Sequence, residues 1–218
     1  MPQKLFMASS LDKTLPKLSD LANLNPVKTK VVFIQDAAIP YGNPDQLFWI
    51  KQDKKAFLKL GYQLEVINLR NFENRNDLEN KINQFDILHV CGGNTLYLNY
   101  LFHKSGLFEI AQNLVKSERL IYTGTSAGSM IVAPDLFGLK DSLMEEMETK
   151  YLEGITRNNY FGLNLVPFLI IPHTQNPDYI NDNKKIVEKL SNYPCPTIWL
   201  KDNQAIWVED NKFQIINN

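Results

Sequence analysis

The sequence predicts an α/β fold on a mostly parallel sheet, and three observations carry that expectation. Short apolar, β-branched or aromatic runs alternate with longer amphipathic ones, helix boundaries are marked where the alternation needs them, and the last stretch has hairpin chemistry. The strand-like runs are Val31–Ile34, Leu64–Ile67, Ile87–Val90, Leu120–Tyr122, Phe168–Ile171 and Thr197–Leu200. Helical stretches lie between them at 43–60, 76–85, 96–115, from Ala127 onward, and at 177–190. Strand and helix in alternation imply parallel strands with helices on both faces. Asn43-Pro44 places a cap before a first-turn proline, and Gly61 stands where a left-handed residue ends a helix. Leu47, Ile50, Phe57 and Leu58 then fall near one helical face. Ala205–Val208 and Phe213–Ile216 flank Glu209-Asp210-Asn211-Lys212, which reads as an antiparallel hairpin at the end of the sheet.

A chain of 218 residues fits one domain, taken here as 1–218, with core enough to need neither disulfides nor metal. No cofactor is expected. Repeats, linkers and low-complexity tracts are absent from the sequence; the charged stretch Lys140–Glu153, with Glu145, Glu146 and Glu148, reads as a solvated helix or loop or as a flap near a site. The 23 basic and 24 acidic residues are scattered, which argues against nucleic acid or an anionic membrane as partner and for a small molecule or peptide. Cys91 and Cys195 read as free thiols of a reducing compartment. Met1–Asp12 lacks a signal-peptide pattern and no window is apolar enough for a membrane span, so a cytoplasmic location is expected. The oligomeric state stays open, a homodimer being one option.

Two glycine-rich turns carry chemistry. Gly124-Thr125-Ser126-Ala127-Gly128 has the form G-x-S-x-G, which average usage produces by chance on the order of 0.1 times in such a chain. It lies between a strand-like run and a short helical one, the setting in which a serine protrudes from a strained turn. A tight turn whose Ser126 merely caps a helix would share that pattern. Cys91-Gly92-Gly93-Asn94-Thr95 also joins a strand end to a helix start and lacks the Lys-Ser/Thr pair of a P-loop. Both turns should open at the carboxyl ends of successive strands, where ligands bind. Gly92, Gly93, Asn94 and Ala127 are therefore candidates for the substrate or oxyanion contacts, with the Gly93 and Ala127 N–H groups as donors.

A serine hydroxyl needs a base, and the base needs an acid to orient it. His89 and His103 lie inside a strand-like and a helical run and read as structural; His173 follows Phe168–Pro172 and faces the same rim as Ser126, which makes it the candidate base. Asp135, Asp141, Asp178 and Asp202 are all candidates for the acid, and Asp202 is preferred because it follows another apolar strand.

Four ordered motifs, Cys91–Thr95, Gly124–Ser129, Ile171-Pro172-His173 and Asp202–Ile206, resemble the aspartyl dipeptidase and cyanophycinase family of serine peptidases over most of the chain from Val31 onward. The resemblance implies a flavodoxin-like, class I glutamine-amidotransferase-like three-layer sandwich. It also implies Ser126 as nucleophile, His173 as base, Asp202 in the place of the acid, and Gly93 and Ala127 as oxyanion donors. The activity it implies is hydrolysis of short peptides, including dipeptides with N-terminal aspartate. Two departures stand out: Cys91 replaces a glycine, and Asp178–Leu190 offers Lys184, Lys185 and Lys189 but no arginine for a substrate carboxylate, leaving Arg157 as a substitute from a loop. The alternatives are an α/β-hydrolase-type esterase, whose triad order is Ser, acid, His, and a non-catalytic binding protein on the same fold.

Overall fold

The computed structural model of the chain describes residues 3–139, 144, 147–190 and 193–218. Its main sheet has seven strands in the order β3-β2-β4-β5-β1-β8-β9. These are β1 Lys4–Ala8, β2 Lys30–Ile34, β3 Gln63–Ile67, β4 Ile87–Val90, β5 Ile121–Thr125, β8 Gln204–Glu209 and β9 Lys212–Asn217. The first five are mutually parallel, while β8 and β9 form the antiparallel hairpin beside β1. The run β3-β2-β4-β5 repeats the 2-1-3-4 order of flavodoxin-type sheets, with the amino-terminal β1 in the fifth place.

That fifth place is where the structure departs most from the sequence reading. The segment Leu5–Ala8 is fully buried and interior to the sheet, between β5 and β8, although the sequence reading passed it over. The strands expected at 168–171 and 197–200, here β6 Leu169–Ile171 and β7 Thr197–Trp199, pair in parallel with each other as a separate two-stranded sheet. Both were legible as strands, but one apolar run does not encode its neighbour.

Helices cover both faces, giving three layers. On one face α1 Leu11–Thr14, α2 Pro16–Leu21 and α3 Phe48–Leu60 bury Leu11, Leu15, Leu18, Ile50 and Phe57 against Phe6, Phe33 and Ile87. On the other, α4 Arg75–Ile82, α5 Thr95–Ser105, α6 Leu107–Lys116 and α7 Ala127–Met130 pack around Val32, Leu88 and Tyr122. The helix expected at 96–115 is broken, because Gly106 takes a left-handed conformation at φ 80° and starts a new axis. Asn43 caps a 3₁₀ turn at Pro44–Gln46 rather than α3 itself, and Gly61 ends α3 at φ 91° as expected. In the stretch 140–153, Glu145 and Glu146 lie outside the described residues; α8 Thr149–Leu152 sets Tyr151 against Tyr97 of α5. The helix expected at 177–190 is a 3₁₀ turn at Pro177–Tyr179 followed by α9 Ile180–Leu190. Among the described residues no helix is long and apolar enough to cross a membrane.

One buried carboxyl sets a pH dependence of stability. Asp36, after β2, accepts a hydrogen bond from Leu69 N at 3.1 Å while its Oδ2 is buried without a partner. Burial raises its pKa to about 6, against the smaller lowering effects of that hydrogen bond and the Arg70 charge. The native state therefore holds this proton more tightly than the unfolded chain, so its contribution is full below the unfolded value of 3.8 and is lost as pH rises through about 6. Asp36→Asn keeps an acceptor for Leu69 and removes the ionisation. It is expected to raise stability near neutral pH by up to about 3 kcal/mol and to change little below pH ~4, as denaturant titrations at the two pH values will read.

Candidate active site

The sheet register assembles the site. Ala8 pairs with Thr125 and Val90 with Gly124, so the chain leaves β1, β5 and β4 side by side at Ser9, Ser126 and Cys91. Ser126 sits at φ 51°, ψ −111° between β5 and α7, with its N–H donating to Ala8 O at 3.0 Å. That left-handed backbone costs on the order of 1–3 kcal/mol and is held by its surroundings. Gly128 is obligatory in this turn, because a Cβ there would stand 2.0 Å from Val90 O. Ser129, one turn on, ties the elbow down: its hydroxyl lies 2.8 Å from both Ala8 O and Gly124 O and shares its one proton between them.

Ser126 Oγ lies 3.0 Å from His173 Nε2, and His173 Nδ1 lies 2.6 Å from Asp202 Oδ1. His173 follows β6 and Asp202 follows β7, so the small separate sheet delivers the candidate base and the candidate acid together. His173 also has a positive φ, 61°, and its ring stacks on Tyr179 at 4.4 Å between centroids. Burial pushes the Asp202 carboxyl up, but hydrogen bonds from His173 and Ser9, the His173 charge and the Asn176 amide together hold it below its usual value. It is therefore an anionic partner for the His173 ring.

Three supporting residues were not read from the sequence. Ser9 Oγ accepts from His173 N and donates to Asp202 Oδ1, both at 2.8 Å, binding His173 and Asp202 into one unit. Asn176 Nδ2 donates to Asp202 Oδ2 at 2.9 Å, and Asn183 Nδ2 to the His173 carbonyl at 3.1 Å. Recognising Leu5–Ala8 as a strand would have put Ser9 on the same rim.

The remaining candidates separate. Gly92 and Gly93 line the cavity in front of Ser126, and a Cβ at Gly92 would come within 3.2 Å of Ser126 Cβ. Ala127 is the first residue of α7 and adjoins Ser126. Asn94 is fully buried and its Oδ1 accepts from Leu96 N and Tyr97 N at 3.0 Å, so its side chain caps α5. Asp135 accepts from Phe137 N in its own turn, Asp178 lines the cavity, and Asp141 lies outside the described residues. His89 is buried beside Thr123, and His103 Nε2 donates to Phe161 O at 3.3 Å. Burial and the Asp53 charge push the Cys91 thiol well above its usual range, so it stays protonated beside Ser126. Arg157 stacks over Phe137, away from the cavity.

The cavity holds about 660 Å³, within the range of small-ligand sites. Tyr41, Phe48, Trp49 and Tyr179 give it apolar walls; besides Asp202, its charged lining is Asp12, Asp53, Asp178 and Asp182 with Lys13.

A three-layer α/β sheet carrying serine, histidine and aspartate on one rim defines a class of hydrolase, and the comparisons narrow it. The pattern of Peptidase family S51 matches residues 4–216, and the chain belongs to that family. It is a peptidase by family. An uncharacterised peptidase of Pasteurella multocida is 27% identical over 98% of this chain and 97% of its own. A peptidase E of a Nostoc species is 28% identical over 87% of this chain and 73% of its own, and a probable α-aspartyl dipeptidase of Drosophila melanogaster is 24% identical over 93% and 78%. Among solved structures, a Listeria monocytogenes protein assigned provisionally as a peptidase E superposes over the full length of both chains with a TM-score of 0.83 at 24% identity. A peptidase from an acI-B1 actinobacterium gives 0.71 at 16%, over all of this chain and 88% of its own. These two likenesses bear on the fold.

Proposed function

We propose that the protein is a serine-type peptidase that cleaves short peptides bearing a free amino terminus, through an acyl-enzyme on Ser126. The observation that carries this reading is the unbroken line from Ser126 Oγ through the His173 ring to Asp202, opening into the cavity. Ser126 Oγ attacks the peptide carbonyl carbon as His173 Nε2 takes the hydroxyl proton. The Gly93 and Ala127 N–H groups hold the oxyanion, each worth roughly a hundred- to a thousandfold in rate. When the C–N bond breaks, His173 returns the proton to the leaving amine. Water then adds to the ester, again giving its proton to His173, and Ser126 leaves as the free hydroxyl.

Substrate preference follows from charge. The relative named for α-aspartyl dipeptides raises the question of N-terminal aspartate, but the lining sets Asp12, Asp178 and Asp182 against Lys13. Such a lining attracts an ammonium group and repels a second carboxylate. A panel of dipeptides varied in the first residue, with and without N-acetylation, tests this. Free-amino dipeptides with a neutral or basic first residue are expected to show kcat/KM at least about tenfold above aspartyl or N-acetylated ones, ~1.4 kcal/mol in transition-state binding. Preference for aspartate would overturn the charge argument, and hydrolysis of no dipeptide would overturn the proposed activity.

A further inference from the structure

On the face of the sheet covered by α3, Asp53 reaches over β4 toward His89 and Cys91, which alternate with Ile87 on one side of that strand. A carboxylate oxygen of Asp53, a ring nitrogen of His89 and Cys91 Sγ lie within 4.8 Å of one another, and all three residues are buried. His89 Nε2 stands 3.5 Å from Asp53 Oδ2, and neither atom has a hydrogen-bond partner. Leaving two such groups unsatisfied in an interior walled by Phe33 and Phe57 is costly. On the far side of the ring, His89 Nδ1 lies 2.9 Å from Thr123 Oγ1. With Nδ1–H donating there, Nε2 turns its lone pair toward Asp53 and Cys91, as an imidazole does when a hydrogen bond behind it orients it for a metal.

We propose that Asp53, His89 and Cys91 bind a divalent cation of the zinc class. One thiolate, one imidazole and one carboxylate form a borderline-soft donor set that suits zinc and not magnesium or calcium. Tetrahedral zinc spaces its ligands ~3.3–3.7 Å apart; the Asp53–His89 spacing of 3.5 Å already has that value, and Cys91 Sγ, within 4.8 Å of both, needs to close by at most about 1.5 Å. The metal–sulfur bond forms as the Cys91 proton passes to water, with no change of oxidation state. Asp53 also lines the cavity beside Gly92, which supplies an entry path and a water for the fourth position. The expectation of no metal rested on a chain long enough to bury its own core, and these ligands come from two distant elements that only the fold brings together. Because Cys91 leads into Gly92 and Gly93, a bound cation ties α3 to the base of the turn before Ser126.

Cobalt(II) titration of the chelator-treated full chain tests the site. The expected result is one cobalt per chain, with a sulfur-to-cobalt charge-transfer band and the visible bands of four-coordinate cobalt, displaced by added zinc. Cys91→Ser should lose the charge-transfer band, Asp53→Asn should weaken binding at least about tenfold, and Cys195→Ser should change neither. Asp53→Asn is nearly isosteric and keeps the test informative if Cys91→Ser does not fold. A folded wild-type chain that gives no band overturns the proposal, as does a band that persists in Cys91→Ser or disappears in Cys195→Ser.

Discussion

Replacing Ser126 by alanine is expected to lower kcat/KM for a cleaved dipeptide by about 10⁶-fold, the loss seen when a triad nucleophile is removed. The fold should survive, because the Ser126 hydroxyl points to His173 while the turn is held by the backbone bond to Ala8 and by Ser129. The strain at φ 51° is the same for alanine, so stability should move little. Steady-state kinetics and a thermal melt on the same preparation check both halves. Activity within a hundredfold of wild type would remove Ser126 from the chemistry.

Asp202→Asn is expected to cost about 10⁴-fold in kcat, the magnitude found when a triad acid becomes an amide. The asparagine can donate to His173 Nδ1 and so favours the tautomer that leaves Nε2 protonated, unable to take the Ser126 proton. The native carboxylate accepts from His173, Ser9 and Asn176. Ser9→Ala serves as the graded comparison. It removes one charge-assisted hydrogen bond to the acid, worth ~1.5–3 kcal/mol, and should reduce kcat about ten- to a hundredfold with little change in KM. Equal losses in the two variants would mean that Asp202 acts only through position. The lowered pKa of Asp202 carries its own sign: it stabilises the fold above the ordinary carboxylate value and that contribution fades as pH falls through the native one. The acid limb of the stability curve should be shallower in Asp202→Asn.

Much of this site was legible because its parts punctuate the sequence. Gly92, Gly93, Gly124 and Gly128 mark turns where backbones must approach closely, and His173 and Asp202 each follow an apolar strand. Strand periodicity and glycine turns are local signals. Pairing is not local, so the departure of β6 and β7 into their own sheet was hidden, as was the place of β1 between β5 and β8. Ser9 was missed with β1. Asn94 looked like part of a binding turn, yet the same residue type caps helices, and here its Oδ1 serves the two N–H groups at the start of α5. Gly106 was passed over because a single left-handed residue between two helices of like composition leaves the hydrophobic pattern nearly intact.

The central claim is that Ser126 is a nucleophile activated by His173. Fluorophosphonate labelling followed by mass mapping tests it most directly, because the reagent phosphonylates only a serine that a base has activated. The expected result is one adduct per chain on the peptide containing Ser126, absent in Ser126→Ala and strongly slowed in His173→Ala. A wild-type chain that stays unlabelled where a known serine hydrolase reacts, or one labelled elsewhere, would contradict the account and favour a binding protein on a peptidase fold.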